Sequence, residues 1–268
     1  MIPDIKKLEK LVRQAAFEEL VERFNRTTRH FKVDGSVLTE ADLAMQARMH
    51  TELERRWPKF GFLGEEMSAE EQEKALAESG EGLWILDPLD GTSNFAAGLP
   101  CFSVSLALLQ DGKVSAGVVF DPMLNECFSA VRGEGAWLNG ERLGAVDEHL
   151  PLRNAIAAVD FKRLPADLAE RIARNPPYAS QRSLGSVALD WCWVAAGRFH
   201  VYLHGKQKLW DYAAGSLILE EARGFNATLD GEPVFHPHVE PRSAVCALDK
   251  AVFEEWRHWL AGADSIEL

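Results

Sequence analysis

The hexapeptide Asp87-Pro88-Leu89-Asp90-Gly91-Thr92 constrains this chain more than any other stretch, because it sets two carboxylates three residues apart directly after an apolar run, Leu83-Trp84-Ile85-Leu86. A run of that kind reads as a buried strand. Pro88 lacks a backbone N–H and pushes Asp87 toward extended conformation, so the ladder is expected to end here, with both aspartates at the carboxyl edge of a sheet. Gly91 and Thr92 then offer unpaired amides at the start of a short helix, Thr92 to Ala96. A hard cation held by carboxylates beside free amides makes a place for a phosphate. Asp-Pro and Asp-Gly are also common turn dipeptides, so this segment alone leaves a plain turn open.

Bulk properties narrow the partners. The 268 residues can bury a large core as one extended unit or two modest domains. A hydrophobic content of 47% with 26% charged residues is ordinary for a globular enzyme. The net charge of −12 argues against a nucleic-acid surface, which needs clustered Lys and Arg. A small phosphorylated substrate still suits an acidic chain if metal ions supply positive charge locally. Cys101, Cys127, Cys192 and Cys246 are widely spaced, with no Cys-x-x-Cys pair; three sit in apolar runs that suit buried free thiols, and the pattern fits a reducing compartment. Charges run throughout Met1 to Phe24 and no apolar run is long enough to span a bilayer, so the expectation is a cytoplasmic protein without a membrane partner.

Periodicity organises the chain. Ile5, Leu8, Leu11, Val12, Ala15, Ala16 and Phe24 recur at helical spacing. A polar loop, Asn25 to Val37, follows, and Thr39-Glu40-Ala41-Asp42 fits a capping box for a second helix that runs toward Trp57 and stops at Pro58. Phe102 to Leu109, Val114 to Phe120 and Glu126 to Val131 read as an antiparallel meander, with hairpin turns at Asp111-Gly112 and Asn139-Gly140. Thereafter strands (155 to 159, 199 to 203) alternate with helices (166 to 173, 186 to 196, 211 to 223), which argues for a mixed or parallel sheet between helices. The polar stretch Glu141 to Arg153 suggests a division into residues 1–148 and 149–268.

Two further acidic clusters flank the hexapeptide, Gly64-Glu65-Glu66 and Trp210-Asp211-Tyr212-Ala213-Ala214-Gly215. Together with Asp87-Pro-x-Asp-Gly-Thr-x-Asn-Phe95 they resemble the signature set of the inositol monophosphatase family, magnesium-dependent and lithium-sensitive sugar phosphatases, over a span from about Phe31 to Gly224. The resemblance implies an α/β (α+β) fold, the five-layer α/β/α/β/α sandwich of the inositol monophosphatase and fructose-1,6-bisphosphatase type, with the site between the halves. The first half then carries most metal ligands and the second carries Asp211 and the substrate pocket. It implies a homodimer, and two or three Mg²⁺ per site, with Mn²⁺ as a substitute. By resemblance Asp87 bridges two ions, Glu65 serves the water-activating one, Asp90 and Asp211 hold the second, and the Leu89 carbonyl is a backbone ligand. Asp42 and Thr92 then orient the attacking water, with Glu65, for single-step hydrolysis, and Gly91 and Thr92 hold phosphate. The loop Asn25 to Val37 is expected as a lid, with Lys32 near the site.

Each position also has a plainer role. Glu65 and Glu66 suit a solvated acidic pair, Asp211 and Ser186 suit helix N-caps, and the Thr39–Asp42 box explains Asp42 without catalysis. Gly185-Ser186 resembles a Gly-Ser/Thr pair near the ligand in the family. The substrate pocket departs from the pattern: inositol-type members place a glutamate seven residues before the Asp of the Trp-Asp motif, and His204 stands there in this chain. A histidine can donate or accept, so a different polyol, or one bearing an anionic group, is expected. Arg223 replaces a glycine usual after Glu-Ala and is expected at a helix C-terminus. The reading is a metal-dependent phosphomonoesterase for a small phosphorylated polyol such as an inositol monophosphate or sugar phosphate. The alternatives are a nucleotide 3'-phosphatase for adenosine 3',5'-bisphosphate, using Lys206 and Lys208, and a non-catalytic regulatory or RNA-associated factor.

Overall fold

The computed structural model describes residues 2–24, 30–31, 37–144 and 150–262. In chain order the elements are α1 (Ile5–Glu19), a two-stranded ribbon of β1 (His30–Phe31) and β2 (Val37–Leu38), α2 (Glu40–Arg56), β3 (Gly61–Gly64), α3 (Ala69–Ala77), β4 (Leu83–Asp90) and α4 (Thr92–Ala97). The meander follows as β5 (Ser103–Gln110), β6 (Lys113–Asp121), β7 (Glu126–Val131), β8 (Gly135–Leu138) and β9 (Glu141–Arg142). The second half has β10 (Ile156–Asp160), α5 (Ala166–Arg174), β11 (Ser180–Arg182), α6 (Val187–Ala195), β12 (Val201–Gln207), α7 (Leu209–Glu221), β13 (Phe225–Ala227), β14 (Arg242–Ala247) and α8 (Lys250–Leu260). The expected lid, Asn25 to Val37 with Lys32, lies outside the described residues except for the ribbon strands.

Three apolar clusters sort these elements into five layers. Leu8, Leu11, Val12, Met45 and Met49 of α1 and α2 pack on one face of β4 to β7, against Trp84, Leu86, Leu106 and Val118. The opposite face, with Ile85, Ala107 and Val119, packs on α6 and α7, whose other side meets Ala158, Tyr202 and Cys246 of the second sheet. Ala157, Val159, Val201, Leu203 and Val245 on the far face of that sheet carry α5 and α8 through Leu168, Ile172, Phe253 and Trp256. The fold is the α/β/α/β/α sandwich. Alternate residues of one strand serve different layers, the period-two rule for a sheet covered on both faces. α7 is buried nearly all round, which its uniformly apolar sequence requires. Among the described residues no helix is long and apolar enough to cross a membrane.

The first sheet runs β3-β4-β5-β6-β7-β8-β9, parallel only between β3 and β4, and the second runs β11-β10-β12-β14-β13. β10 lies parallel to β11 and β12, and β14 is antiparallel to its neighbours, a mixed sheet. The hairpin turns sit where Asp111-Gly112 and Asn139-Gly140 put them, each with two positive φ values.

Pro88 does not end its strand. β4 continues to Asp90 through a register break: Asp87 faces Ser105 and Asp90 faces Ser103, so β4 carries one residue more than β5 between these pairs. A bulge accommodates the extra residue, and the ladder to β3 stops at Leu86, so a residue without an N–H is tolerated at 88. Phe24 is not on the α1 stripe either; α1 stops at Glu19, and Phe24 reaches the core beyond it, with ring centroids 5.5 Å from Phe95 and 5.2 Å from Phe102.

Candidate active site

The β4 bulge re-aims the end of the strand toward the C-terminal half. Asp87 is 2% exposed, and one of its oxygens accepts the Leu89 N–H at 3.0 Å. Asp90 Oδ2 accepts from Ser186 Oγ at 2.6 Å and from the Ala188 N–H at 2.7 Å, so the carboxylate is pinned to the first turn of α6. Gly91 turns the chain with φ of 94°, and a Cβ there would lie 2.9 Å from the Cys101 carbonyl oxygen; only glycine fits both demands. Asn94 ties this turn to the second half by donating to the Cys101 and Leu184 carbonyls at 2.8 and 2.6 Å.

Glu65 follows β3, with its N–H on the Leu86 carbonyl at 3.0 Å, and Gln72 donates to the Gly64 and Glu65 carbonyls at 3.1 and 3.0 Å. Asp211 opens α7, where its Oδ2 accepts the Lys208 N–H at 2.8 Å. Asp42 caps α2 and also meets Thr92. One oxygen closes the capping box on Thr39, from N–H at 2.7 Å and hydroxyl at 2.6 Å, and the other accepts from Thr92 Oγ1 at 3.0 Å. The Thr92 hydroxyl also lies 2.9 Å from the Leu89 carbonyl oxygen.

A cavity of about 590 Å³ opens here, in the size range of ligand pockets. Glu65, Asp90 and Asp211 reach its wall, as do Gly185 and His204; Asp42, Asp87, Leu89, Gly91, Thr92 and Ser186 do not. Ser186 therefore serves Asp90 rather than the cavity, and its side chain makes no N-cap bond to α6. His204 lies in β12, three residues before its carboxyl end, and is buried at 4% exposed. Its Nδ1 accepts the Lys206 N–H at 3.1 Å, and its Nε2 is 3.2 Å from Asp160 Oδ2.

The electrostatics favour a cation. Burial first, then the charges of Glu65, Asp90 and Asp211, pushes Asp87 well above the usual carboxylate range. Burial also lifts Asp90 to about 6 against the opposing donors Ser186 and Ala188, and burial with Asp90 and Glu65 raises Asp211. Asp42 is raised chiefly by burial. Among the described residues no three His, Cys, Asp or Glu side chains already stand close enough together to hold an ion between them. The donor set nonetheless suits hard divalent ions of the Mg²⁺ kind: it is all oxygen, its charges repel, and Asp87, Asp90 and Asp211 each have one oxygen placed by a backbone N–H.

The sequence model of the inositol monophosphatase family matches residues 4–259. The chain belongs to the inositol monophosphatase family. Among curated relatives of this inositol monophosphatase family member, Nus factor SuhB of Haemophilus influenzae is 40% identical over 198 residues, 72% of each chain. The inositol-1-monophosphatase of Mesorhizobium japonicum is 36% identical over 205 residues, 75% of each. Among solved structures, an IMPase of Thermotoga maritima superposes with a TM-score of 0.82 at 28% identity, covering 96% of both chains. An IMPase/NADP phosphatase complexed with Mg²⁺ and phosphate gives 0.79 at 25% identity, covering 97% of this chain and 92% of that one.

Sequence reasoning missed several groups at the site. Asp160, Lys162 and Arg163 line the same cavity as His204, and only the strand register, which sets Asp160 opposite His204, reveals the first. Asp190 is buried in α6 with Oδ1 lacking a hydrogen-bond partner, and burial, then Asp90 and Asp160, raises it. In sequence it is one polar residue in an apolar helix. Gln72, in α3, holds the Gly64 and Glu65 carbonyls and was not singled out either.

Proposed function

We propose that the protein is a Mg²⁺-dependent phosphomonoesterase that hydrolyses a small phosphorylated polyol, such as an inositol monophosphate or a sugar phosphate. The observation that carries this reading is that Asp87, Asp90 and Asp211 are buried carboxylates whose proton affinity is raised by burial and by the nearby charge of Glu65. Two or three Mg²⁺ ions, or Mn²⁺ in their place, would supply Lewis acidity at the phosphate oxygens and a more acidic water when bound. Asp87, which feels the charges of Glu65, Asp90 and Asp211, would share the ions with them, with Glu65 serving the attacking water, Asp90 and Asp211 the leaving group, and the Leu89 carbonyl as a backbone ligand.

The chain's own groups handle the proton. As a water attacks phosphorus and the P–O bond to the alcohol breaks, one water proton can pass to Thr92 Oγ1 while that hydroxyl gives its own to Asp42 Oδ1, 3.0 Å away, and the departing alkoxide takes a proton from solvent in the open cavity. Burial of Asp42 raises its proton affinity and favours that transfer. The amides of Gly91 and Thr92 serve the phosphate, Gly185 and His204 the substrate wall, and Ser186 orients Asp90.

Two other readings have specific support. Lys206 and Lys208 on the cavity wall suit a nucleotide 3'-phosphatase that holds the second phosphate of adenosine 3',5'-bisphosphate. The relatives named Nus factor SuhB favour a regulatory role. The net charge of −12 weighs against nucleic acid and membrane as direct partners, and a cytoplasmic homodimer completes the proposal. Phosphate release from inositol phosphates, sugar phosphates and adenosine bisphosphate, each with Mg²⁺, with chelator and with lithium, tests the reading. Release that needs Mg²⁺ and falls with lithium is expected; no release from any substrate leaves the regulatory reading.

A further inference from the structure

We infer that Asp160 is the residue that selects substrate hydroxyls, with buried His204 as its positioning residue. This rests on the phosphomonoesterase reading of the same cavity. The His204 ring has no nitrogen left for a ligand. Nδ1 accepts the Lys206 N–H at 3.1 Å, so a neutral ring carries its proton on Nε2, and that nitrogen faces Asp160 Oδ2 at 3.2 Å. The ring is stacked on Tyr202, with centroids 6.2 Å apart, and its side chain is 5% exposed. It is fixed on every side.

Asp160 differs on each count. Its side chain is 32% exposed and it lines the cavity that Glu65, Asp90 and Asp211 also line. A carboxylate offers about four acceptor positions. Two are engaged, by His204 Nε2 and by the Lys162 N–H at 3.0 Å, and the others remain for hydroxyl donors. Burial works against its charge, but the hydrogen bonds from His204 and the Lys162 N–H, with the charge of Arg163, outweigh it and hold Asp160 below the usual carboxylate value. It therefore stays an acceptor across the neutral range. Lys162 and Arg163 follow it in the chain, and Lys206 of β12 and Lys208, which precedes α7, line the same cavity.

Backbone packing holds the pair together. Asp160 ends β10 directly opposite His204 on β12. Beyond them the two chains come so close that a Cβ on Gly205 would lie 1.8 Å from the Arg163 carbonyl oxygen. The acceptor is thus mounted on two strands rather than on a loose loop, the condition for discriminating a hydroxyl from its absence. The ligand class is a phosphorylated polyol with a hydroxyl that reaches Asp160 when its phosphate lies at the aspartate cluster.

The test compares myo-inositol 1-phosphate and glucose 1-phosphate with their monodeoxy analogues, at saturating Mg²⁺, for the native protein, Asp160→Ala, His204→Ala and His204→Gln. In the native protein at least one deoxy analogue is expected to lose about 100-fold in kcat/KM, the penalty for leaving a placed polar group unpaired. Asp160→Ala should reduce that ratio to within about threefold through KM, with kcat on the deoxy analogue unchanged. His204→Ala should erode the ratio. His204→Gln should restore it, because an amide can accept from Lys206 N–H and donate to Asp160. A native protein that treats all deoxy analogues alike, or an Asp160→Ala variant that keeps the full ratio, overturns the inference while the phosphatase reading stands. No phosphate release from any substrate overturns both.

Discussion

At one end, behind the wall of the cavity that Asp90 reaches, the functional groups follow one another along a few residues of chain, Asp87, Leu89, Asp90, Gly91 and Thr92, on a buried bulge whose carboxylates are held by backbone N–H groups. At the other end Asp160, His204, Lys162, Arg163, Lys206 and Lys208 come from the carboxyl ends of two neighbouring strands and meet only after folding. The first end crowds negative charge with burial that penalises it; the second is a largely exposed rim of four cations around one carboxylate. The first arrangement suits ions and chemistry, the second recognition. If that division is right, changes at the first end remove turnover for every substrate, and changes at the second re-rank substrates.

The largest effect belongs to the first end. Asp90→Asn and Asp211→Asn should each lower kcat/KM by about 10³-fold or more, since a dication loses one of its anionic ligands. Circular dichroism should stay native, because Asn keeps an oxygen for the donors now on each carboxylate. Near-normal turnover at modest Mg²⁺ in either variant breaks the comparison at its stronger end.

Gly205→Ala probes the second end through backbone. With the Arg163 carbonyl 1.8 Å from the new methyl, the turn 161–163 that follows β10 must move away from β12, at about 2–3 kcal/mol of stability. Thermal melting reads that cost, and the residual enzyme should show weakened substrate ranking with its Mg²⁺ requirement intact. An unchanged melting point would mean the strand ends are not tightly mounted.

Charge crowding at the first end has a pH signature. Asp90 sits at about 6 in the fold against 3.8 as an ordinary carboxyl, so the folded state holds the proton more tightly than the unfolded chain. The metal-free protein therefore loses stability as pH rises from about 4 to about 6 and carries the full penalty above that, roughly 3 kcal/mol from this group. Asp87 and Asp211 act in the same direction. Chelated protein should melt higher near pH 5 than near pH 7.5, and Mg²⁺ should narrow the gap. Equal melting at the two pH values without metal removes the crowding argument.

The smallest effect lies outside both ends. Arg223 takes φ of 69° in the C-terminal motif of α7, with its N–H on the Glu220 carbonyl and the Gly224 N–H on that of Leu219. Arg223→Gly should raise stability by up to about 1 kcal/mol with activity unchanged. A destabilised variant would show that the side chain matters beyond the turn.

Legibility divides along the same line. The capping box of α2, the meander, its Asp-Gly and Asn-Gly turns and the acidic clusters were readable because each is local: a side chain and its partner lie within a few residues. Pro88 misled because a bulge, a property of the register with β5, absorbed it. His204 was singled out by its spacing to Asp211, but its hydrogen bonds depend on Asp160, 44 residues away in a neighbouring strand. No periodicity encodes that pairing. Ser186 likewise looked like a cap or a ligand contact, and its bond to Asp90 crosses between the halves of the molecule.

Calorimetric titration of metal-free protein with Mg²⁺ in the presence of inorganic phosphate, paired with phosphate release from the best substrate on the same sample, tests the central claim most directly. The account predicts at least two Mg²⁺ per chain, a rise in activity that follows their binding, and loss of both in Asp211→Asn. Full turnover by the chelated protein, or activity that saturates without any bound Mg²⁺, would contradict it.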